Sequence, residues 1–565
     1  MLRASFRRLP ATLSRARWLR LVVLGGLFAW PGRTFAQDTL RYQVRPRPAP
    51  TGTRIEITLG MHGVRRDTVV GLPVGCYGTP SIDRYVSRFE GLDGTVVRAG
   101  ADAMHRVVIP NHAGETRLRY VLSYDPSTMD RYAFAPNVGP THFHMAGCQW
   151  LLRIGDANRP HHYEIRIVDL PAGWHAYSSL GLDPIRGLQA EGKIDDLASA
   201  MIGAGAGVHR TYEIESRPVS VHIEGRFEIP AGEIADAVRT IIAGERAAMG
   251  DRSQPFYTVA VLPRSGVIAG TAVPNLFVVF IEHDIAREEL YDLVAHEMFH
   301  RWLPNQIEIA LPPGENAIRD EWFTEGVTEY LARWLLVRDS LLTFDQFAAL
   351  ANRDLYNLAD NPGAADTYDA LLSAAEEGRF QTAYKKLAYY RGAVMALNWE
   401  AHLKELGEGR TVLDLVVDLW HKALAQDEQV TEDQLFSLGR EYGLDMRGDF
   451  ERYILRAEPL IPRRAALGPD FRLVATYVPS FDPGFSIRES FRTGHVSEVR
   501  ADGPAFRAGL RDGMVFRGVR NSNRFGNAWH SDLPLRVLTG ADPEGRTVEY
   551  FPHGNPIAVM QYRRK

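Results

Sequence analysis

Two histidines four residues apart, with a glutamate directly after the first, are the residues of this chain best suited to chemistry. They are His296, Glu297 and His300, in the run Leu290-Tyr-Asp-Leu-Val-Ala-His-Glu-Met-Phe-His-Arg-Trp302. Apolar residues before the motif repeat at helical spacing and the first break is Pro304, so the sequence predicts a helix. At 3.6 residues per turn both histidines share one face and can bind one metal ion. Glu297 lies about 100° further round, where it can act as a base for a metal-bound water.

A second segment supplies carboxylates. The run Glu321-Trp-Phe-Thr-Glu-Gly-Val-Thr-Glu-Tyr330 also has apolar residues at helical spacing. Glu325, facing the two imidazoles, would complete the three-ligand set of a catalytic zinc site and leave a fourth position for water. Glu329 is a candidate to orient a ligand histidine by accepting its other ring N–H, and a solvated helix carboxylate is the alternative. For the whole pattern, the alternative is two unrelated buried helices with hydrogen-bonded core histidines.

Together the two motifs resemble the gluzincin metallopeptidases and are most similar to the M61 glycyl aminopeptidase family, relatives of the M1 aminopeptidases. The resemblance rests on His-Glu-x-x-His-x-Trp at 296–302 and Trp-x-x-Glu-Gly-x-Thr-x-Tyr at 322–330. It implies that His296, His300 and Glu325 hold one Zn²⁺ per chain. It also implies that Glu297 is the general base and later the proton donor.

A downstream segment, Tyr389-Tyr-Arg-Gly-Ala393, resembles the Tyr-x-Lys/Arg-Gly segment of these families, whose tyrosine hydroxyl stabilises the tetrahedral oxyanion. The matching residue is Tyr389, with Tyr390 the second candidate. A neutral phenol suits that role because it donates a hydrogen bond where negative charge develops. The alternative is that both tyrosines only pack in the core.

One family feature is missing from its expected place. M1 enzymes, and M61 enzymes in modified form, have a Gly-rich strand ending in a glutamate that can hold the amino terminus of a substrate. Here the corresponding stretch 265–275 contains no glutamate, and the nearest one, Glu282, follows the apolar run 276–281. An edge strand can still align a peptide through its backbone. Peptide hydrolysis is therefore better supported than aminopeptidase specificity.

The amino-terminal residues 1–36 resemble an export signal. Arginines precede a ten-residue apolar run from Leu21 to Trp30, and Thr34-Phe-Ala36 offers a small residue for cleavage. This run is shorter than the roughly 20 residues that span a bilayer, so we expect a periplasmic or secreted protein without a membrane span after cleavage. Retention of the segment as an anchor is left open. Its removal takes away seven arginines and moves the net charge from −4 to −11, which argues against nucleic-acid partners.

Two cysteines, Cys76 and Cys148, are the whole complement of the 565 residues. In an exported chain they could form one disulfide, although sequence alone does not establish the pair. Near Cys148, His142 and His144 are two residues apart, a spacing that would place both imidazoles on one face of a strand. Exposed surface histidines are the expected explanation, and a second metal is the alternative.

Composition and periodicity divide the chain into regions of a multidomain α+β protein. Short alternating strands predict a β-rich, sandwich-like domain over 37–228, and strands followed by helices predict a mostly helical domain over 229–465. This order is what the thermolysin-like zinc peptidase domain implied by the resemblance would require. Residues 466–565 resemble a PDZ domain, in which Gly484-Phe-Ser-Ile487 would open a strand whose amides bind a peptide carboxylate, followed by a short helix from Pro504. A carboxy-terminal peptide is therefore a candidate ligand there.

These observations predict an exported zinc metallopeptidase that acts on peptides or proteins in an aminopeptidase-like manner. An endopeptidase of the same fold is the first alternative, because the amino-terminus anchor is missing. A catalytically silent peptide-binding scaffold is the second alternative. The presence of all five residues proposed for the chemistry argues against it, namely His296, Glu297, His300, Glu325 and Tyr389. Side-chain preference and oligomeric state cannot be predicted from the sequence.

Overall fold

A computed structural model describes residues 39–50, 52–64, 66–73, 82–110, 115–124, 134–264, 268–315, 317–376, 382–426, 429–521, 530–540 and 545–565. The predicted export signal and Cys76 lie outside these residues, whereas Cys148 is disulfide-bonded. The chain divides into two compact units. The first comprises the chain through Gly225 with 254–262 and 273–276, and the second comprises 226–253, 263–272 and 277–565. Among the described residues, no helix has the length and apolar character needed to span a membrane.

The first unit is composed mainly of β-strands, with short 3-10 helices at Ile82–Tyr85, Gly147–Gln149 and Ile194–Leu197. The strands are β1 Thr39–Arg47, β2 Arg54–His62, β3 Thr68–Gly71, β4 Val86–Leu92, β5 Val96–Ala99, β6 His105–Ile109, β7 Thr116–Leu122, β8 Asn137–Gly139, β9 His142–Ala146, β10 Arg153–Ile154, β11 His161–Ile167, β12 His175–Ser178, β13 Leu188–Gly192, β14 Met201–Gly205, β15 Val208–Ile214, β16 Arg217–Ile223 and β17 Tyr257–Pro263. The strands form a six-stranded sheet in the order β13-β11-β1-β2-β7-β4 and two four-stranded sheets in the orders β10-β3-β6-β5 and β12-β14-β9-β8. β15 pairs antiparallel with β16, which pairs parallel with β17.

Alternating side chains explain why these segments are strands. In β1, Leu40, Tyr42 and Val44 are fully buried, whereas the intervening Arg41 and Gln43 are exposed. Successive side chains of a strand point to opposite faces, so this pattern covers one face of the sheet with a core. The β-rich amino-terminal region predicted from the sequence is confirmed.

The second unit is mostly helical up to about residue 455. Its elements there are α1 Ala231–Met249, β18 Ala269–Val273, β19 Leu276–Ile281, α2 Arg287–Phe299, β20 Glu308–Ala310, α3 Glu321–Thr324, α4 Gly326–Arg338, α5 Phe344–Ala359, α6 Tyr368–Glu376, α7 Thr382–Leu406, α8 Val412–Leu424, β21 Gln429–Thr431, α9 Glu432–Glu441 and α10 Met446–Asp449, followed by a π-helical turn Phe450–Leu455. β18 is an edge strand beside β19. The predicted change from strands to helices is confirmed.

The helices that carry the motifs lie deep in this unit. In α2, the residues from Glu289 to Phe299 are buried on every side, as expected for a central helix. The second motif is not one uninterrupted helix, because Glu325 stands between α3 and α4 with φ −106° and ψ −47°. The backbone N–H of Glu325 donates to Glu321 O, and that of Glu329 donates to Glu325 O, so the helical course continues through the interruption.

The carboxy-terminal part of the second unit has its own small core. Its elements are β22 Phe471–Phe481, α11 Ile487–Thr493, α12 Pro504–Arg507, β23 Phe516–Asn521, β24 Leu535–Thr539, β25 Arg546–Tyr550 and β26 His553–Arg564. β22 pairs antiparallel with β26, and β23, β24 and β25 form a three-stranded sheet. Phe485, Val496, Leu510 and Val537 are among the residues of the core. The short helix predicted from Pro504 is present.

The strand predicted at Gly484, Phe485, Ser486 and Ile487 is not present, and carboxylate binding by these residues stays a prediction. Ile487 begins helix α11, and Ser486 caps it by accepting a hydrogen bond from the Glu489 N–H at 3.2 Å. Two of the amides are already used, since the Gly484 N–H donates to Asp482 Oδ1 and the Ser486 N–H donates to Ser497 O. A serine followed three residues later by a glutamate is a helix-start pattern, and here this local preference prevails.

Candidate active site

Three side chains from two segments converge on one point. His296 lies in α2, His300 is its carboxyl cap, and Glu325 lies between α3 and α4. The Oε2 atom of Glu325 is 3.1 Å from His296 Nε2 and 3.3 Å from His300 Nε2. Within the described part of the chain, this is the one group of three or more His, Cys, Asp or Glu donors found within 4.8 Å of one another. The sequence motifs are thus brought together in space.

The donor set fits a zinc ion. Two donors that are each about 2.0–2.1 Å from zinc lie about 3.3 Å apart when the angle is tetrahedral. The separations of Glu325 Oε2 from the two imidazole nitrogens agree with that value. The Nδ1–H of His300 donates to Leu303 O at 2.8 Å, which leaves the lone pair of Nε2 directed to the common point. Two imidazoles and one carboxylate form a set that catalytic zinc uses.

The electrostatics of the group also favour a cation. Burial alone would raise the pKa of Glu325, but His300 and His296 outweigh it and hold that pKa well below its usual range. Burial lowers the pKa of His296, yet Glu325 and Glu329 reverse the effect and raise the pKa to about 10. The carboxylates therefore stabilise positive charge at the position between them.

A buried charge network supports His296 from behind. Glu329 Oε2 lies 2.8 Å from His296 Nδ1, and its other oxygen is paired with Arg333. Arg333 also donates to Asp292 Oδ1 at 2.9 Å and to Asp354 Oδ2 at 2.5 Å. All of these side chains are buried, so each charge depends on its partners. Of the network, the sequence motifs indicated only Glu329; Asp292 precedes His296 by one helical turn, a spacing that could have identified it.

Glu297 lies beside the three donors and against strand β18. Its side chain is 7% exposed, and burial raises its pKa while His300 and His296 partly offset that effect. A Cβ atom placed on Gly270 would come within 2.4 Å of the Glu297 Cδ atom. Only a glycine allows the β18 backbone to run this close to the carboxylate. Gly270 belongs to the strand that lacks the expected glutamate.

Of the two tyrosines in α7, Tyr389 faces the site. Its ring is parallel to that of His296 within 10°, with the centroids 6.0 Å apart, and it forms a side-chain hydrogen bond with Glu325. Burial and the nearby Glu325 raise the pKa of Tyr389 well above its usual value, so the phenol is neutral. Tyr390 is buried near Asp354 and Arg353 instead.

Lys386 also lies at the site, although no sequence motif indicated it. Its Nζ atom lies 3.4 Å from the centroid of the Tyr389 ring, one helical turn away on α7. Burial lowers the pKa of Lys386, while four glutamates, Glu329, Glu325, Glu297 and Glu321, oppose that shift. The spacing of three residues before Tyr389 was the available signal, but nothing in the motif draws attention to it.

His142 and His144 lie in strand β9 of the first unit. Neither is a surface residue: both are buried, with His142 Nε2 2.6 Å from Asn137 Oδ1 and His144 Nδ1 3.2 Å from the Tyr177 hydroxyl. The expected surface histidines are therefore wrong, because hydrogen-bond partners allow both rings to be buried.

Comparison with known proteins agrees with this geometry. Residues 289–395, which include both motifs and Tyr389, match the M61 glycyl aminopeptidase family. The segment that holds both motifs and Tyr389 is therefore similar to the M61 family. The resemblance noted in the sequence is confirmed over this range. Among curated proteins, none matches the chain.

The likeness to one solved structure extends beyond residues 289–395. An aminopeptidase N family protein from Idiomarina loihiensis is similar with a TM-score of 0.61 and 13% identity, covering 93% of this chain and 98% of that one. At this identity the likeness shows the fold. An M1 zinc metallopeptidase from Deinococcus radiodurans is similar with a TM-score of 0.41 and 18% identity, covering 76% of this chain and 95% of that one.

Proposed function

We propose that the protein is a zinc-dependent peptidase that hydrolyses peptide bonds. The observation that carries the proposal is the convergence of His296, His300 and Glu325 donors at separations that suit zinc, with Glu297 beside them. The match of residues 289–395 to the M61 family supports it.

Each residue has a role that follows from its position. Zinc, when bound by His296, His300 and Glu325, would supply Lewis acidity that activates water and polarises a carbonyl. Glu297 accepts a proton from the attacking water and returns it to the leaving nitrogen, so one carboxylate serves as base and then as acid. The Tyr389 hydroxyl donates a hydrogen bond to the oxygen on which negative charge develops. Burial of the site strengthens both interactions because the surroundings are poorly polarisable.

Strand β18 is the candidate for aligning the substrate. It is an edge strand, and at Gly270 it runs next to Glu297. A peptide pairing with its backbone would lie along the reacting carboxylate. Aminopeptidase-like cleavage is the first candidate, from the M61 match. An endopeptidase is the second, because Ala269–Val273 contains no acid that could hold a substrate ammonium.

We also propose that the protein acts after export, in the periplasm or outside the cell. The arginine-rich and then apolar character of residues 1–36 supports this. So does the disulfide at Cys148, since disulfides persist in oxidising compartments. Cell fractionation tests it, and retention of the intact chain in the cytoplasm would contradict it.

Metal analysis combined with a peptide library tests the activity. The library contains each peptide with a free and with an acetylated amino end. We expect about one zinc per chain and cleavage that a chelator abolishes. Cleavage confined to free amino ends identifies an aminopeptidase, and equal cleavage of both sets identifies an endopeptidase. Zinc binding without cleavage of any peptide would favour the scaffold alternative.

Glu297→Gln tests the mechanism. The variant removes the base while keeping the size of the side chain, so it should retain zinc and lose at least a hundredfold in kcat. Glu288→Gln is the matched control, because Glu288 lies on the same helix α2 but hydrogen-bonds to Gln346 away from the donors. A Glu297→Gln enzyme with near-normal kcat would remove Glu297 from the mechanism.

A further inference from the structure

Lys386 occupies a position in the site that the proposed mechanism does not use. Its ammonium nitrogen is 3.4 Å from the centroid of the Tyr389 ring, well inside the range of about 6 Å over which a cation is attracted to an aromatic face. Lys386 and Tyr389 are three residues apart on α7 and therefore lie on the same side of the helix. The contact is thus built into the helix that carries the tyrosine.

The Tyr389 ring is also held by His296. The two rings are parallel within 10° at a centroid distance of 6.0 Å. The ring thus has an imidazole and an ammonium as neighbours, and both restrict its orientation. A phenol that donates to a developing oxyanion must be held closely in place, since displacement by about 1 Å can cost a hundredfold in rate.

A cation on the face of a phenol does more than hold it. It withdraws electron density from the ring and so makes the O–H a stronger hydrogen-bond donor. Such an effect is largest where the ammonium is shielded from water, as cation–π contacts gain strength when desolvated. Lys386 faces Glu297, Glu321, Glu325 and Glu329, which stabilise its positive charge.

We propose that Lys386 is a positioning residue for the hydrolysis, acting through Tyr389 by fixing its ring and strengthening its hydroxyl as a donor. This inference rests on the proposed peptidase function. It differs from a role in balancing the glutamate charges, which would act on metal binding and folding and would not depend on Tyr389.

The test combines Lys386→Met, Tyr389→Phe and the double variant, all as full-length protein. Lys386→Met keeps the length of the side chain and removes the charge, and we expect kcat to fall about tenfold while KM changes less than threefold. The double variant should be no more than twofold slower than Tyr389→Phe alone, because residues that act through one another are not additive. Lys386→Arg, which keeps a cation, should lose less than Lys386→Met.

Lys404→Met is the matched control. Lys404 also lies on α7 and has its Nζ atom 4.9 Å from an aromatic centroid, that of Trp334, but it is half exposed and interacts with Glu400. We expect wild-type kcat for this variant. A second readout is independent of turnover: in a crystal structure of Lys386→Met, the Tyr389 ring should leave its parallel arrangement with His296.

Several outcomes would overturn the proposal. These are an unchanged kcat in Lys386→Met, additive effects in the double variant, or loss of zinc as the cause of lost activity. If Lys386→Met does not fold, Lys386→Gln takes its place in the same comparison. Failure of the peptidase function is distinguishable, since it would appear as wild-type protein without chelator-sensitive cleavage.

Discussion

The contact between Glu329 and His296 determines which imidazole nitrogen of His296 faces the proposed metal site. With Glu329 Oε2 2.8 Å from Nδ1, the Nε2 atom is directed to Glu325. Such outer contacts raise the basicity of a ligand histidine and fix its orientation. The same carboxylate is paired with Arg333, so its own position is fixed too.

Glu329→Gln should weaken zinc binding about 10- to 100-fold without unfolding the protein. Arg333 keeps Asp292 and Asp354 as partners, which limits the loss of stability. A competition titration with a chromogenic chelator measures the affinity. Glu408→Gln, at a side chain 62% exposed, serves as the control. Equal zinc affinity in the wild type and Glu329→Gln would show that Glu329 does not support His296.

Gly270→Ala should impair turnover while leaving zinc bound. The new methyl group would meet the Glu297 Cδ and Cγ atoms at 2.4 Å, so the carboxylate must move. A displacement of about 1 Å can lower kcat a hundredfold, and we expect at least a tenfold fall. Steady-state kinetics and zinc analysis on the same preparation separate the two effects. A variant with normal kcat would mean that the position of Glu297 tolerates this shift.

At the residue scale, the sequence predicts those site residues whose relative positions are fixed by the spacing within one helix or one motif. The spacing of His296 and His300 defines a common face, and the glutamate before Gly326 is part of a recognisable motif. Lys386 lies on the same helix as Tyr389 but belongs to no recognised motif. Gly270 and Asp354 could not be predicted, because each reaches the site from another element. Their positions follow from tertiary packing, for which a single sequence gives no local pattern.

Two glycines account for the close approach of α7 to the segment of α3 and α4. A Cβ atom on Gly392 would lie 1.8 Å from the Trp322 carbonyl oxygen, and one on Gly326 would lie 2.5 Å from the Gly392 Cα atom. Only glycine, which has no Cβ atom, allows two backbones to approach this closely. Glu325 precedes one glycine and Tyr389 lies one turn before the other, so the contact brings these two residues together.

Gly392→Ala should destabilise the second unit by about 1–3 kcal/mol, the usual effect of overpacking. This exceeds the roughly 0.5–1 kcal/mol that alanine gains over glycine in a helix. Thermal unfolding measures the change. Gly232→Ala in α1 is the matched control, because a Cβ there meets nothing within 4 Å and the variant should be neutral or slightly stabilising. Equal unfolding temperatures of the two variants would contradict the close-packing explanation.

At the element scale, strands with alternating side chains and helices with periodic apolar faces could be predicted, since burial on one face fixes both patterns. Two features could not. The helix is interrupted at Glu325, next to the place where the backbone of α7 closely approaches that of Trp322 and Gly326. The apolar periodicity of the sequence does not indicate this interruption. Helix α11 stands where a strand was predicted, because Ser486 caps a helix there by accepting a hydrogen bond from the Glu489 N–H. The prediction followed the resemblance to PDZ domains and did not use this local helix-start pattern.

At the scale of the whole molecule, the first unit contains two buried groups with opposite responses to pH. Burial, followed by the charges of His209 and His175, lowers the pKa of His222 to about 3. Burial raises the pKa of Glu224 to about 7, although the Gly207 N–H partly opposes this. Both groups are therefore uncharged at weakly acidic pH, where their ordinary forms in an unfolded chain would be charged.

The signs of the two contributions follow from proton linkage. His222 binds its proton more readily in the unfolded chain, so its contribution to stability is present above about pH 6.5 and is lost as the pH falls toward 3. Glu224 binds its proton more readily in the folded unit, so its contribution is greatest below about pH 4.5 and is lost as the pH rises through 7. Between pH 7 and 4.5 the two changes nearly cancel, each being about 2–3 kcal/mol.

A single substitution at either residue should therefore make the stability of the first unit depend on pH between 7 and 4.5. Glu224→Gln removes the opposing contribution, so acidification from pH 7 to 4.5 should lower the stability of the first unit by about 2–3 kcal/mol more than in the wild type. His222→Gln should change it by a similar amount in the other direction. Urea unfolding is carried out at both pH values and monitored by hydrogen exchange of peptides from 201–223. This measures the free energy of unfolding of the first unit within the full chain. The comparison uses the change with pH rather than the absolute stability, so any packing defect common to both pH values cancels. If both variants followed the wild type in parallel, the two groups would have to be charged or solvated in the folded unit.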